Sequence, residues 1–198
     1  MKVVGLLLAP WLALAFCVGA AAPRTILFDA GQNVGRVFVA DARAKAGTAP
    51  GELPHVDGIR PATAKDAPDE PTFTAAGLGL GVSLGRWAAA NGSATIEPEK
   101  GRDRAICTFH RLIPFGIYSV FVGNIAHPHA ALVPLDGSGL HDSFQASIRG
   151  WARLTTLTAR PLTRADVLVL VFHADGESHG RSPGNLDADA AEQLFARV

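Results

Sequence analysis

Residues 167–172 read Val-Leu-Val-Leu-Val-Phe, a run of six apolar side chains without interruption. β-Branched and aromatic residues in a run this short favour a strand over a helix. A strand with one solvent face alternates apolar and polar residues, whereas this run does not alternate, so both of its faces must be covered. We therefore predict a strand at the centre of its sheet.

The sequence on either side of this run is a series of short β-type segments separated by Gly, Pro and Asp turns. Apolar and polar side chains alternate most clearly over residues 104–110, and helical periodicity is almost absent. The other predicted strands cover residues 25–28, 36–40, 78–87, 117–122, 143–149 and 151–158, with a further strand after a turn at Asn91-Gly92. This pattern predicts an all-β fold, a β-sandwich or jelly-roll-like architecture that is mainly antiparallel with little helix.

Two segments differ from this pattern. Residues 41–71 hold five of the 13 prolines and show no apolar periodicity, which predicts a long Pro/Ala/Gly-rich loop with His55 as a solvated side chain. At the C-terminus, Asp189 and Glu192 fit the capping box of a short helix, but residues 194–198 suit an edge strand equally well. No internal repeat is predicted.

The N-terminus has the three-part layout of a secretory signal peptide. Lys2 is the only charge before Arg24, an apolar run follows it, and small residues permit cleavage after Ala20 or Ala21. An uncleaved membrane anchor is the alternative, because the run is long enough to cross a bilayer. We predict that residues 1–21 form the signal peptide and that residues 22–198 form a single β-sandwich domain.

Composition narrows the possible partners of the remaining chain. Loss of residues 1–21 leaves 17 basic and 18 acidic side chains, one net negative charge, which predicts no nucleic-acid partner. The sequence has no polybasic or amphipathic segment that would predict membrane binding after cleavage. The signal peptide predicts a location in the periplasm or the extracellular space. Cys107 is then the single cysteine, which excludes an internal disulfide and a cysteine-based zinc site, and its strand alternation places it in the core.

Histidine and carboxylate side chains follow directly after the 167–172 strand. His173 and Asp175 lie on the same side of an extended chain, and Gly176 permits a sharp return that brings His179 back towards them. Imidazole and carboxylate together suit a divalent transition metal such as zinc or copper, so we take these three residues as candidate ligands. The alternative is an ordinary Asp-Gly turn beside a histidine that only hydrogen-bonds a neighbour.

A second histidine pair is a further candidate. His127-Pro128-His129 places two imidazoles on one side of an extended segment, from which either could join the metal site. Because Pro128 also suits an exposed loop, a pair of solvated histidines is the alternative reading.

Two motifs that resemble enzyme signatures fail in context. Residues 176–180 match G-x-S-x-G, but residues 181–184 (Arg-Ser-Pro-Gly) cannot open a helix and no histidine follows His179. The glycines at 77, 79, 81 and 85 have neither the spacing nor the following residues of a phosphate-binding loop. No catalytic residue is assigned.

From about residue 78 to its end, the chain resembles an uncharacterised group of secreted bacterial β-sandwich proteins. The resemblance is carried by an L-x-P-x-G-x-Y corner at residues 112–118 and by an H-x-D-G-x-x-H-G-x-x-P-G loop at residues 173–184, with Trp87 and the Pro-Leu-Asp-Gly of residues 134–137 as further matches. It implies export and a β-sandwich, and it implies no activity.

These observations favour an exported, non-catalytic β-sandwich module that binds a metal or small ligand at the His173–His179 loop. One alternative is a small metal-dependent extracytoplasmic enzyme in which Asp175 or Glu177 acts as ligand or general base. A purely structural envelope protein is the other alternative.

Overall fold

The structure is a computed structural model, and it describes residues 22–30, 36–47, 54–126, 131–186 and 188–198. Its described residues form three antiparallel sheets and one short helix, which confirms the predicted all-β class. The strands are β1 Arg24–Phe28, β2 Phe38–Ala40, β3 Ile59–Pro61, β4 Pro71–Phe73, β5 Gly79–Ser83, β6 Asn91–Glu99, β7 Arg102–His110, β8 Ile117–Asn124, β9 Val133–Pro134, β10 Ser143–Gln145, β11 Ala152–Leu157, β12 Asp166–His173 and β13 Ala190–Arg197, and the helix is α1 Leu84–Ala88.

Sheet 1 has the strand order β1-β6-β7-β11. In β7, Ala105, Cys107 and Phe109 are fully buried while the residues between them face outwards, as the alternation predicts. Burial raises the pKa of the Cys107 thiol to about 12, so this thiol stays protonated. The turn predicted at Asn91-Gly92 is wrong, since both residues already pair with β7.

Sheet 2 has the order β10-β8-β12-β13, with β9 added on β8. Strand β12 lies between β8 and β13, which confirms the predicted central strand. At one corner the two sheets are joined by backbone hydrogen bonds in both directions between Asp29 and Phe195, of 2.9 and 3.2 Å.

Aromatic rings fill the space between sheets 1 and 2. Five ring pairs, with centroids 5.0–6.2 Å apart, connect Phe28, Phe109, Phe144, Tyr118, Phe172 and Trp87 in that order. Such a pair contributes about 0.5–1.5 kcal/mol beyond the burial of its area. The chain of rings therefore fixes how β7, β8, β10 and β12 face one another.

Tyr118 also explains the L-x-P-x-G-x-Y corner. Its hydroxyl accepts a hydrogen bond of 2.9 Å from the backbone N–H of Ile113, which ties the corner to the start of β8. A Cβ at Gly116 would lie 2.9 Å from the Tyr118 ring and 3.0 Å from the Phe172 ring, so only glycine fits there.

Sheet 3 is smaller and has the order β3-β2-β4-β5. It includes part of the segment predicted as one long loop, because β3 lies within residues 41–71 and pairs with β2. His55 is also not solvated: it is only 9% exposed, and its ring centroid lies 5.5 Å from that of Phe38.

Three further segments were assigned from the sequence: residues 78–87, the C-terminus and the N-terminus. The strand predicted over residues 78–87 ends at Ser83, whose side chain accepts from the Arg86 N–H and begins α1. Residues 190–197 form strand β13, so the capping-box helix is wrong. Residues 1–21, the predicted signal peptide, lie outside the described residues, among which no helix has the length and hydropathy to cross a membrane.

A seven-residue turn occurs twice, at residues 60–66 and 160–166, both Arg-Pro-x-Thr-x-x-Asp. In each copy the arginine donates to both aspartate oxygens at 2.8 and 2.6 Å, and the threonine N–H donates to the same carboxylate at 2.7 Å. The structure therefore contains a local repeat where none was predicted. The second copy leads directly into β12.

We expect Asp166→Ala to lower the free energy of unfolding by about 1–3 kcal/mol, because it removes a buried carboxylate that accepts hydrogen bonds from the half-exposed Arg160 and from Thr163. Asp66→Ala, the matched change in the other copy, should cost less, since its carboxylate is more exposed and lies on the smaller sheet. Urea unfolding at pH 7 measures both. An Asp166→Ala protein as stable as wild type would contradict this role.

The Asp166 carboxylate also makes the stability of the protein depend on pH in the acid range. The Arg160 hydrogen bonds lower the pKa of Asp166 to about 2, so its contribution is present above the ordinary carboxyl pKa and is lost as the pH falls towards 2. In the Asp166→Ala protein this part of the acid destabilisation should be missing.

Candidate metal centre

The candidate site begins where β12 ends. His173 pairs with Ile117 of β8 and Ala190 of β13 and is 1% exposed. By strand parity its side chain shares a face with Val169 and Val171, away from the aromatic core. The segment before β13 covers this face, and the Ala174 N–H donates to the Asp189 carbonyl at 2.6 Å.

A tight turn returns the chain towards His173. Gly176 has φ 79°, a left-handed conformation that suits glycine, and its N–H donates to the His173 carbonyl. The return places His179 Nε2 2.9 Å from Asp175 Oδ2, and the His173 and His179 ring centroids lie 5.4 Å apart. One ligand atom from each of these three residues lies within 4.8 Å of the other two. Among the residues that the structure describes, no other group of three metal-ligating side chains is this close.

The two ring nitrogens of His173 have different surroundings. Nε2 lies 2.8 Å from the Ser119 hydroxyl, which lies 2.8 Å from the hydroxyl of Ser143. Nδ1 is buried and has no hydrogen-bond partner among the described residues. A buried nitrogen without a partner costs free energy unless something binds there.

Burial, and to a smaller extent the nearby His179, lowers the pKa of His173 to about 4. The ring is therefore neutral at pH 7 and carries one proton. With that proton on Nε2, the ring donates to Ser119, and Ser119 in turn donates to Ser143. The Nδ1 lone pair is then free to bind a metal.

Asp175 is anionic under the same conditions. Burial raises the pKa of Asp175, but the Glu177 N–H hydrogen bond and the attraction of His179 outweigh it and leave a net lowering. The side chains of Asp175 and His179 are each about 30% exposed, so both can rotate and solvent can reach them. The site thus combines one rigid, buried ligand with two adjustable ones at the surface.

The loop after the turn closes over His179. A Cβ at Gly184 would lie 3.0 Å from the His179 ring and 2.8 Å from the Asp189 carboxylate, and Gly184 has φ 81°. The Asp189 carboxylate accepts from the Asn185 N–H at 2.6 Å, which holds this segment in place. The positive φ and these close contacts explain why the chain has glycine at position 184.

The other features singled out from the sequence are the His127–His129 pair and the G-x-S-x-G match. His127 and His129 lie outside the described residues, so their part in the site stays a prediction. Residues 179–186 form turns and no helix, in keeping with the rejection of the G-x-S-x-G match. The Ser178 hydroxyl forms a 2.8 Å hydrogen bond with that of Ser143. Ser119, which the sequence analysis missed, pairs with a histidine but is 1% exposed, too buried to attack a substrate.

Asp142 lies beside this serine chain and was not predicted. It is fully buried, its Oδ1 accepts a 3.3 Å bond from Ser143, and its Oδ2 has no partner among the described residues. Burial, followed by repulsion from Asp136, raises the pKa of Asp142 to about 6. Compared with the unfolded chain, the folded protein therefore favours the protonated form of the Asp142 carboxyl group.

Comparison of the chain with protein-family models, with curated proteins and with solved structures gives no match.

We expect Asp142→Asn to become more stable than wild type as the pH rises. The raised pKa means that native Asp142 holds its proton between about pH 4 and 6 while the unfolded chain releases it, so wild-type stability falls across this window. Asparagine cannot ionise, and its advantage should grow by about 1–3 kcal/mol between pH 4 and 7. Thermal melts across this range measure it. A stability difference that does not change with pH would contradict the assignment.

Proposed function

We propose that this protein is an exported, non-catalytic β-sandwich module that binds a divalent transition metal, zinc or copper, through His173, Asp175 and His179. The observation that carries the proposal is the buried Nδ1 of His173, which has no partner within the described part of the chain although the other ring nitrogen is held by Ser119. Export and a location outside the cytoplasm rest on the signal-like residues 1–21.

The donor set favours a transition metal over calcium or magnesium. Two imidazole nitrogens and one carboxylate suit zinc and copper, whereas calcium and magnesium prefer oxygen ligands alone. Ligands about 2.0–2.2 Å from a tetrahedral zinc ion lie roughly 3.3–3.6 Å from one another. One ligand atom from each of the three residues already lies within 4.8 Å of the other two. Binding therefore requires that His179 and Asp175 separate slightly from their 2.9 Å contact and that the more distant ligand atoms move closer together.

Ser119 is not a candidate ligand, but it supports metal binding through its contact with the second ring nitrogen of His173. Metal-binding histidines commonly donate their second ring N–H to a neighbouring acceptor, which fixes the tautomer and orients the ring. The 2.8 Å contact between Ser119 Oγ and His173 Nε2 supports this arrangement. Ser119 lies on β8 opposite Val171, two residues along the strand from the direct partner of His173, and its contact keeps the ring fixed before any metal arrives.

A small metal-dependent enzyme is the second candidate. Three protein ligands leave at least one position free on a four-coordinate ion, and the partial exposure of Asp175 and His179 would let solvent or substrate reach it. Glu177, next to the turn and exposed, would be the nearby general base. A purely structural envelope protein would bind no metal and would use His173 only to tie β12 to β8.

We expect purified wild type, stripped of metal, to take up one equivalent of zinc or copper and to melt at higher temperature with it. His179→Ala should change metal-free stability by about 0.5 kcal/mol or less, since the side chain is partly exposed, yet lose most metal-dependent stabilisation. Ser119→Ala should weaken binding by about 10–100-fold. His141→Ala, a change at an exposed histidine on another loop, is the matched control. Metal analysis and thermal melts measure all four proteins.

A wild-type protein that takes up no metal would overturn the proposal, as would unchanged metal content in His179→Ala. In that case His173→Ala should still destabilise by about 1–3 kcal/mol, because it removes a buried partner of Ser119, and the structural role would be favoured. Metal uptake together with turnover of a hydrolysable substrate would favour the enzyme.

A further inference from the structure

The outer face of sheet 1 is rich in cations. Strands β6, β7 and β11 turn alternate side chains to solvent there, and the described carboxylates among them are Glu97 and Glu99, of which Glu99 pairs with Arg104 at 2.7 Å. The cationic side chains on the face and at its end are Arg102, Arg104, Arg153, Arg111 and Arg149, and His110 lies among them. The chain from residue 22 onwards has one net negative charge, so positive charge is concentrated here.

One end of this face forms a surface pocket without a carboxylate in its lining. Its lining residues are Asn91, His110, Arg111, Arg149, Gly150 and Trp151. Asn91 and His110 are directly opposite each other in the β6–β7 pairing, and Trp151 immediately precedes Ala152, the partner of Phe109. The indole of Trp151 is 46% exposed, unlike the buried Trp87.

The backbone that carries these side chains is held rigidly. A Cβ at Gly150 would lie 2.3 Å from the Leu112 carbonyl oxygen, and the Leu112 N–H donates to the Gly150 carbonyl at 3.0 Å. The Ser147 N–H donates to the Trp151 carbonyl at 2.9 Å, and the Ser147 hydroxyl accepts from the Trp151 N–H at 3.0 Å. Arg111 has φ 59°, a left-handed conformation that is uncommon for a residue other than glycine.

The rest of the face continues the pocket as a polar strip. Ser93 and Thr108 are opposite each other, Arg153 is next across the sheet, and the following rung holds Thr95 and Thr155 on either side of Ile106. From His110 to Arg104 the strip extends roughly 20 Å, at about 3.4 Å per residue. Hydroxyl groups and guanidinium groups therefore lie along this extended surface, together with the apolar side chains of Ile106 and Leu157.

We propose that this face binds an anionic polysaccharide, with a sugar ring against Trp151 and its carboxylate or sulfate group paired with Arg111 and Arg149. Guanidinium groups bind carboxylate and sulfate-like anions through paired hydrogen bonds, and an exposed indole offers an apolar surface with a polar edge. The serine and threonine rungs match sugar hydroxyls. A nucleic acid would gain little from one aromatic side chain and two glutamates, and a lipid surface would gain little from polar rungs.

Tryptophan fluorescence offers a direct test. From residue 22 onwards the chain has two tryptophans, and since Trp87 is 1% exposed, a ligand added in solution should report through Trp151. With chelator present to exclude the metal site, polygalacturonate and dextran sulfate should change the fluorescence in a saturable way, and neutral dextran should not. Comparison of the two probes distinguishes a carboxylated from a sulfated ligand. A response to neutral dextran equal to that of the charged polymers would overturn the proposal.

Affinity electrophoresis extends the test to variants. Trp151→Ala and Arg149→Gln should each weaken polysaccharide binding about tenfold, while Arg164→Gln, an exposed arginine away from this face, should leave it unchanged. Thermal melts check that all variants fold. Equal binding by Arg149→Gln and Arg164→Gln would overturn the proposal, as would tighter binding of single-stranded DNA or phosphatidylglycerol vesicles than of either polysaccharide.

Discussion

The burial of β12 on both faces is the constraint on which the rest of the structure depends. On one face Leu168, Leu170 and Phe172 join the aromatic core between sheets 1 and 2. On the other, Val169 and Val171 pack in a second cluster under the segments that precede β9 and β13. A strand this apolar is stable only when both sides are covered, so the chain after it must fold back over it.

The burial of β12 also determines the protonation state and the hydrogen bonding of His173. It is the last residue of β12, and because the covering loop excludes water, its ring is neutral and its polar atoms depend on protein partners. Ser119 of β8 supplies one partner and none is supplied to Nδ1 by the described residues. The turn at Gly176 adds Asp175 and His179 at the surface, so burial and turn together form the candidate metal centre.

Local patterns predicted the features that depend on local physics. The apolar run of β12, the alternation around Cys107 and the return at Gly176 were all visible in the sequence, because strand parity and glycine conformation act over a few residues. Ser119 was not visible, since it lies 54 residues from His173 and meets it only across the sheet. Residues 41–71 were mistaken for one loop because β3 is only three residues long, too short to show periodicity.

The nitrogen resonances of the His173 ring test the account most directly. A long-range ¹H–¹⁵N correlation spectrum of metal-free protein at pH 7 should show a neutral ring protonated on Nε2, with Nδ1 unprotonated. One equivalent of zinc should then shift the Nδ1 resonance strongly and leave the Nε2 proton in place. A ring protonated on Nδ1, or an Nδ1 resonance unmoved by zinc, would contradict the proposed role of the buried histidine.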